Sequence, residues 1–111
     1  MCGRFQLTPP EDWLEEFGLT EGPEVTPRYN IAPTQPVVAV RRAVSGRREA
    51  KMLRWGLVPH WADDPSVGSR MINARAEGLA TRPAFRDPFK SRRCLIPATG
   101  FYEWRKSGAA R

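Results

Sequence analysis

The frequency of proline and glycine limits what this sequence can fold into more than any other feature does. Eleven prolines and nine glycines occur in 111 residues. Proline breaks helices and cannot donate in a sheet, and glycine favours turns, so long regular elements are excluded. We therefore expect short strands and helices joined by ordered loops, in one domain that spans residues 1–111.

Apolar patterns and turn signals predict the order of these elements. Thr8 and Glu11 fit a capping box at the start of a helix, and Gly18 fits its end. A turn at 45–48 between two apolar runs predicts a β-hairpin. Because βαβ alternation is missing, the α+β class is favoured. The predicted strands are 2–7, 36–44, 52–57, 93–96 and 101–105, with an extended segment at 71–75, helices at 8–18, 76–82 and 83–90, and loops at 19–35 and 58–70.

The last residues, 106–111, have the composition of a hairpin turn. A strand that pairs with 101–105 would follow such a turn, so we expect 101–105 to keep an unpaired edge. We interpret the chain as the truncated N-terminal portion of a longer domain; the alternative is a frayed natural C-terminus.

The charge balance points to nucleic acid as a partner. Eighteen Lys and Arg against twelve Asp and Glu give a net charge of +6. Most of the basic residues are arginine, which pairs with phosphate through two parallel hydrogen bonds. The alternative is that the charged surface only keeps the protein soluble, and composition alone does not distinguish this from nucleic-acid binding.

Other classes of protein are disfavoured by what the sequence lacks. No run of 18 apolar residues predicts a membrane span, and no signal peptide opens the chain. We expect a cytoplasmic monomer with Cys2 and Cys94 both reduced. One histidine and two distant cysteines argue against a zinc site, so we expect neither metal nor other cofactor.

Cys2 carries the most distinctive chemistry. Removal of Met1 would leave an amine and a thiol on adjacent carbons, and an α-amine with a pKa of about 7.7–8.0 is partly neutral near pH 7. Such an amine forms a Schiff base with an aldehyde, and the thiol then closes a thiazolidine ring. A ring-opened abasic deoxyribose is the expected aldehyde. Two alternatives remain: Cys2 is a buried small apolar residue, or it is the nucleophile of a hydrolase.

Two pairs of residues with i, i+2 spacing are candidates to assist Cys2. Cys2 and Arg4 would share one face of a strand, where Arg4 could hold a phosphate and lower the pKa of the thiol. Asn73 and Arg75 have the same spacing and combine an amide with a guanidinium. The alternatives are a surface arginine and an asparagine that forms a turn.

Aromatic residues surround the remaining candidates. Glu103 lies between Tyr102 and Trp104, where desolvation would raise its pKa and suit it to acid–base catalysis. Strand alternation favours the opposite arrangement, with Glu103 in solvent and its aromatic neighbours in the core. The residues that could stack on bases or insert between them are Tyr29, Pro33, Trp55 and Trp61.

Six blocks of this sequence occur in the same order in a known family. The chain resembles the SOS-response-associated peptidase (SRAP) family, also called abasic-site processing proteins. The blocks are MCGRF at 1–5, RYNIAP at 28–33, RWGLVPHW at 54–61, INARAE at 72–77, RCLIP at 93–97 and GFYEW at 100–104.

The resemblance implies a function and a site. The function is covalent capture of abasic sites in single-stranded DNA through Cys2 during the DNA damage (SOS) response. The family's active-site asparagine and glutamate fall on Asn73 and Glu103. Its phosphate contacts fall on Arg4 and Arg75. The residues inserted at the lesion lie near Pro33 and Trp61, although a tryptophan of some members falls on Ala62.

The resemblance also implies a fold and one departure. The family fold is an α+β domain with a β-barrel-like mixed sheet, short helices and a basic groove. Members are about twice as long, and their catalytic histidine lies beyond the portion matched here, since His60 belongs to another block. Two other functions stay open: an N-terminal-nucleophile cysteine peptidase that cleaves itself, and an inactive remnant that only binds single-stranded DNA.

Overall fold

The computed structural model describes residues 2–105 and contains only short elements, as the proline and glycine content predicts. The longest helix has nine residues and the longest strands have seven. The strands are β1 (Phe5–Leu7), β2 (Arg28–Ile31), β3 (Pro36–Arg42), β4 (Arg48–Arg54) and β5 (Gly100–Phe101), and the helices are α1 (Trp13–Glu16) and α2 (Pro83–Ser91), with 3₁₀ turns at Pro65–Arg70 and Ala76–Gly78. The α+β class is confirmed.

The first sheet joins the two ends of the described chain. Its strand order is β2-β1-β5, and both pairings are antiparallel. Phe5 lies opposite both Ile31 and Phe101 in the register. Phe5 and Leu7 are buried while Gln6 between them is half-buried, so one face of β1 packs into the core.

The second sheet is the predicted hairpin of β3 and β4. Its register runs from Pro36 opposite Arg54 to Arg42 opposite Arg48, and Gly46 with a φ of 90° allows the turn between them. Residues 37–40 are buried without interruption, which means that both faces of β3 are covered.

The two sheets share one core. Phe5, Leu7, Ile31, Val37 and Val38 form a buried cluster, and Cys2 and Trp55 pack against it. An isolated bridge between Val40 and Leu95 ties the hairpin to the segment that precedes β5. No closed barrel forms within residues 2–105; the strands make two small sheets.

The predicted capping box is wrong. Helix α1 begins at Trp13 with Asp12 at its N-cap, and the Asp12 side chain makes no capping hydrogen bond. Thr8 instead bonds with Thr99: the Thr8 amide donates to the Thr99 hydroxyl at 2.8 Å, and the two hydroxyl oxygens lie 3.2 Å apart. A partner distant in sequence therefore overrides a local signal. Gly18, with a φ of 69°, follows the helix as predicted.

Several further segments differ from the prediction. Strand β4 begins at Arg48 rather than at residue 52, and only Ala76–Gly78 of the predicted helix 76–82 is helical, as a 3₁₀ turn. Strand β2 lies inside the predicted loop 19–35, and 93–96 forms one bridge rather than a strand. Strand 101–105 is reduced to β5, which pairs with β1 on one edge. No strand within residues 2–105 pairs with its other edge. The predicted turn at 106–111 lies outside the described residues. Within the part described, no helix is long and apolar enough to cross a bilayer.

Candidate functional site

A cavity of about 550 Å³ is lined by residues of both sheets. Cys2, the first residue that the structure describes, is also part of its wall. Its walls are mainly apolar, and Phe5, Val37 and Leu53 line it from β1, β3 and β4. Cys2 and Asn73 supply polar groups to the same walls. The fold therefore brings together two of the predicted site residues that are far apart in sequence.

Cys2 and Asn73 are in direct contact. The side-chain amide nitrogen of Asn73 donates a hydrogen bond of 2.7 Å to the main-chain carbonyl of Cys2. Cys2 is half-buried, and its thiol contacts the carbonyl of Arg4 at 3.5 Å. An N-terminal segment frays unless it is tied down, and this bond ties it.

The segment that carries Asn73 is itself held by hydrogen bonds from the loop that follows β4. The Trp55 indole donates to the carbonyl of Ile72 at 3.0 Å, and the Leu57 amide donates to the carbonyl of Met71 at 2.9 Å. In both bonds the acceptor is a main-chain carbonyl, so the bonds fix the backbone of the two residues before Asn73. The predicted extended segment 71–75 is thus an ordered connection and not a strand.

A close contact between two glycines supports this arrangement. Gly56 has a φ of 136°, and a Cβ placed there would lie 2.4 Å from the carbonyl oxygen of Gly68. Only glycine fits at such a position. Gly68 belongs to the 3₁₀ turn that precedes the Asn73 segment, and Asp64 caps that turn by accepting from the Ser66 amide at 3.0 Å.

Arg4 has an unsatisfied donor and does not itself line the cavity, although Cys2 and Phe5 do. Its Nε is buried and has no hydrogen-bond partner within residues 2–105. Because β1 begins at Phe5, Arg4 precedes the strand, and its carbonyl accepts from the Tyr102 amide at 3.0 Å. A guanidinium is a strong donor to phosphate oxygens, but the Arg4 Nε is buried, so a phosphate would have to be bound by the other two guanidinium nitrogens.

Other predicted site residues lie outside the cavity. Arg75 is exposed just after Asn73, Pro33 is half-buried after β2, and Trp61 is 54% exposed beside His60. None of these three lines the cavity. Trp55 does line it, and its ring centroid lies 5.4 Å from that of Phe5.

Glu103 is exposed, so the predicted desolvation is wrong. The alternative is confirmed in placing Glu103 in solvent but wrong about its neighbours, because Tyr102 and Trp104 are exposed and stack on each other with centroids 6.5 Å apart rather than entering the core. The Tyr102 hydroxyl donates to the carbonyl of Tyr29 at 2.7 Å. Strand alternation fails here because β5 ends at Phe101.

Cys94 and a cluster of arginines were not singled out by the sequence analysis. Cys94 lines the cavity together with Cys2, and both thiols are free. Cys94 also lines a second cavity of about 400 Å³ with Arg41, Arg42, Arg48 and Arg93. The arginine pairs at 41–42, 47–48 and 92–93 were a detectable signal for this basic surface. No group of side chains within residues 2–105 could hold a metal ion.

Comparison with known proteins gives the family. The sequence profile of the family described as SOS response associated peptidase (SRAP) matches residues 1–111. The chain belongs to the SRAP family. Similar solved structures include two proteins of Bordetella bronchiseptica. One, a phage-related protein, is 32% identical with a TM-score of 0.70 and is matched over 96% of this chain and 50% of its own. The other is 25% identical with a TM-score of 0.69.

Several curated SRAP relatives carry a functional name. The abasic site processing protein YoqW of Bacillus subtilis is 49% identical over 111 residues, which cover 96% of this chain and 49% of YoqW. YedK of Escherichia coli is 36% identical, and the match covers 97% of this chain and 50% of YedK. HMCES of Gallus gallus is 33% identical, and the match covers 90% of this chain and 31% of HMCES. This SRAP chain thus spans about half the length of its bacterial relatives.

Proposed function

We propose that this SRAP chain captures abasic sites in single-stranded DNA through a covalent bond to Cys2. The observation that carries the proposal is the hydrogen bond from Asn73 to the Cys2 carbonyl, which holds residue 2 at the wall of a cavity. The relatives YoqW, YedK and HMCES are named as abasic site processing proteins, which supports the same function.

The proposed reaction needs only the atoms of residue 2 and an aldehyde. Hydrolysis of the bond between Met1 and Cys2 releases the amine. Its nitrogen attacks the aldehyde carbon of the ring-opened sugar, and loss of water gives an imine. The thiol sulfur then adds to the imine carbon while its proton passes to the nitrogen. The product is a thiazolidine whose formation has released one water.

We assign supporting roles to the other predicted residues. Arg4, which is half-buried next to Cys2 and β1, holds a phosphate beside the lesion through its terminal guanidinium nitrogens, and the exposed Arg75 holds another. Trp61 and Pro33 contact the bases that flank the missing one. Glu103 exchanges protons with the sugar from an exposed position. The site of action is the cytoplasm during the SOS response.

Removal of Met1 by the chain itself is a second candidate activity. The family description contains the word peptidase, and an N-terminal cysteine is a suitable nucleophile for such a cleavage. This activity would precede DNA capture and would act on one peptide bond of the chain.

The decisive experiment is the intact mass of the chain after incubation with a single-stranded oligonucleotide that carries one abasic site. We expect loss of Met1 and a denaturation-resistant adduct whose mass is the sum of both partners minus one water. Cys2→Ala should abolish the adduct. Cys94→Ala is the matched control, since it removes the other thiol of the same cavity, and it should retain the adduct.

Three results would contradict the proposal in different ways. A normal adduct in Cys2→Ala would remove the thiazolidine mechanism. Salt-sensitive DNA binding by the folded chain without any adduct would indicate a binding remnant. Cleavage of unrelated peptides, lost in Cys2→Ala, would indicate a general cysteine peptidase.

A further inference from the structure

The β3–β4 hairpin and the segment after α2 bring arginines together on one surface. We call it the arginine surface and define it by Arg41, Arg42, Arg48, Arg92 and Arg93. These side chains line two cavities of about 400 and 660 Å³ that share part of their walls. In the part of the chain that the structure describes, one acidic side chain, a glutamate, lines the same cavities. Five arginines against one glutamate leave these walls with a net charge of +4.

The charge of the arginine surface is largely unpaired within the molecule. Its one ion pair among the described residues joins Arg41 to Glu49 at 3.0 Å. The other four arginines are exposed and form no ion pair within residues 2–105. Like charges that are held close together repel one another, so an anionic ligand would relieve this repulsion.

Hydrogen bonds hold two of these arginines in place. The Nη1 of Arg42 donates to the carbonyl of Gly46 at 2.9 Å, and the Nη1 of Arg48 donates to the carbonyl of Phe17 at 3.0 Å. A guanidinium carries five N–H donors, so each bond orients the side chain and leaves other donors for a ligand. Donors that are already oriented lose less conformational entropy when they bind.

The arginine surface is continuous with the cavity that contains Cys2. Cys94 lines that cavity and both of the cavities lined by arginine. Arg93 precedes Cys94, and its guanidinium carbon lies 4.8 Å from the centroid of the Phe89 ring, which supports one face of the group. A ligand that extends from Cys2 past Cys94 would therefore reach these arginines.

Repeated phosphates are the ligand that fits this surface. Arginine binds phosphate through two parallel hydrogen bonds. Because the arginines are spread over two cavities, a polymer with one negative charge on each unit fits them better than a single small anion does. Single-stranded DNA is such a polymer, and the proposed function brings it to the adjoining cavity.

We propose that the arginine surface binds backbone phosphates of single-stranded DNA on one flank of the abasic site. These phosphates belong to nucleotides beyond those assigned to Arg4 and Arg75, and the strand reaches them by passing Cys94. The proposal rests on the proposed function for the identity of the ligand. Capture of the aldehyde does not require this surface, so the two proposals can fail separately.

The test measures reversible binding, which keeps it independent of the covalent reaction. The chain is titrated with fluorescent oligonucleotides that carry a tetrahydrofuran analogue of the abasic site, which has no aldehyde. Either the 5′ or the 3′ flank is lengthened from about 4 to about 16 nucleotides, while the other flank stays short. We expect that lengthening one flank only lowers Kd about tenfold at low salt and steepens the slope of log K against log salt.

Matched variants locate the contact. The double substitution Arg92→Gln with Arg93→Gln should reduce the gain to about threefold or less and lower the salt slope by about 1.4, because each phosphate contact with a single strand contributes about 0.7. Arg82→Gln with Arg86→Gln is the control, since it removes the same charge from exposed positions that line neither of the two cavities. It should keep the full gain. Circular dichroism of both double variants checks that the fold is intact.

The outcomes also separate this inference from the proposed function. The inference is overturned if neither flank improves binding, if both double variants lose the gain equally, or if polyglutamate displaces the long flank as readily as unlabelled DNA does. The last result would indicate an acidic protein as the partner. Flank-dependent binding without an adduct on true abasic DNA would keep the arginine surface and remove capture by Cys2. An adduct without any effect of flank length would do the reverse.

Discussion

The side-chain amide of Asn73 donates a hydrogen bond of 2.7 Å to the main-chain carbonyl of Cys2, across 71 positions of sequence. Because Asn73 bonds to the main-chain carbonyl of residue 2, this hydrogen bond does not occupy the Cys2 thiol, which contacts the carbonyl of Arg4 instead. The Asn73 amide thus acts as a positioning group, and it makes the placement of Cys2 depend on the loop that follows β4.

Asn73→Ala should slow adduct formation. A typical hydrogen bond contributes about 0.5–1.5 kcal/mol, which corresponds to a rate loss of about two- to tenfold if the bond is needed to position Cys2. Single-turnover cross-linking to abasic single-stranded DNA measures the rate. Asn30→Ala, at an exposed position of β2, is the control and should keep the full rate. Equal rates for both variants would remove the positioning role from Asn73.

Gly56→Ala should destabilise the fold by about 2 kcal/mol or more. The substitution combines an unfavourable positive φ with an overlap of the new Cβ and the Gly68 carbonyl oxygen at 2.4 Å. Gly46→Ala separates the two effects, because Gly46 also has a positive φ but a Cβ there meets nothing within 4 Å. Its expected cost is about 1 kcal/mol. Urea denaturation measures the free energy of unfolding of both variants. Equal losses of stability in the two variants would show that the contact with Gly68 is unimportant.

Arg75→Ala should weaken binding to single-stranded DNA to the same degree for every base sequence. Removal of one phosphate contact should also reduce the slope of log K against log salt by about one unit. Fluorescence anisotropy at several salt concentrations measures both quantities. Arg86→Ala, which removes an exposed arginine from α2, is the charge-matched control. A loss confined to some sequences would argue for base recognition by Arg75.

Asp64→Ala should destabilise the 3₁₀ turn in a way that depends on pH. Hydrogen bonds from the backbone amide and the hydroxyl of Ser66 lower the pKa of Asp64 below its usual 3.8. A lowered pKa means that the carboxylate stabilises the fold at pH values above 3.8, and that this contribution is lost as the pH falls through the folded-state pKa. The difference in melting temperature between the unmodified chain and Asp64→Ala should therefore be present near neutral pH and shrink in acid. Asp63→Ala, which alters the exposed neighbour, should show a smaller difference at neutral pH.

The sequence predicted those features that depend on local patterns. The hairpin of β3 and β4 follows from two apolar runs around a turn that contains Gly46, and the division of 76–90 follows from Pro83. The family was predicted from ordered blocks, and the profile match over residues 1–111 confirms it. The roles of Cys2, Asn73 and Glu103 remain predictions.

Features that depend on distant partners were not predictable in this way. Thr8 has the local chemistry of a helix cap, but Thr99 offers it a partner from the other end of the described chain. Glu103 has the neighbours of a buried carboxylate, but β5 ends before reaching it. The Asn73 bond to Cys2 is a main-chain contact, so spacing in the sequence carries no information about it.

The pairing of β1 with β5 also orders events during synthesis. Thr8 and Thr99 lie 91 positions apart, so the ribosome must make nearly all of this chain before β1 has both of its neighbours. At about 5–20 residues per second that interval is on the order of ten seconds. Throughout it the edge of β1 that β5 later covers is open, because Phe101 has not yet been made. The first sheet is therefore exposed to non-native strand pairing until the last part of the described chain has been synthesised.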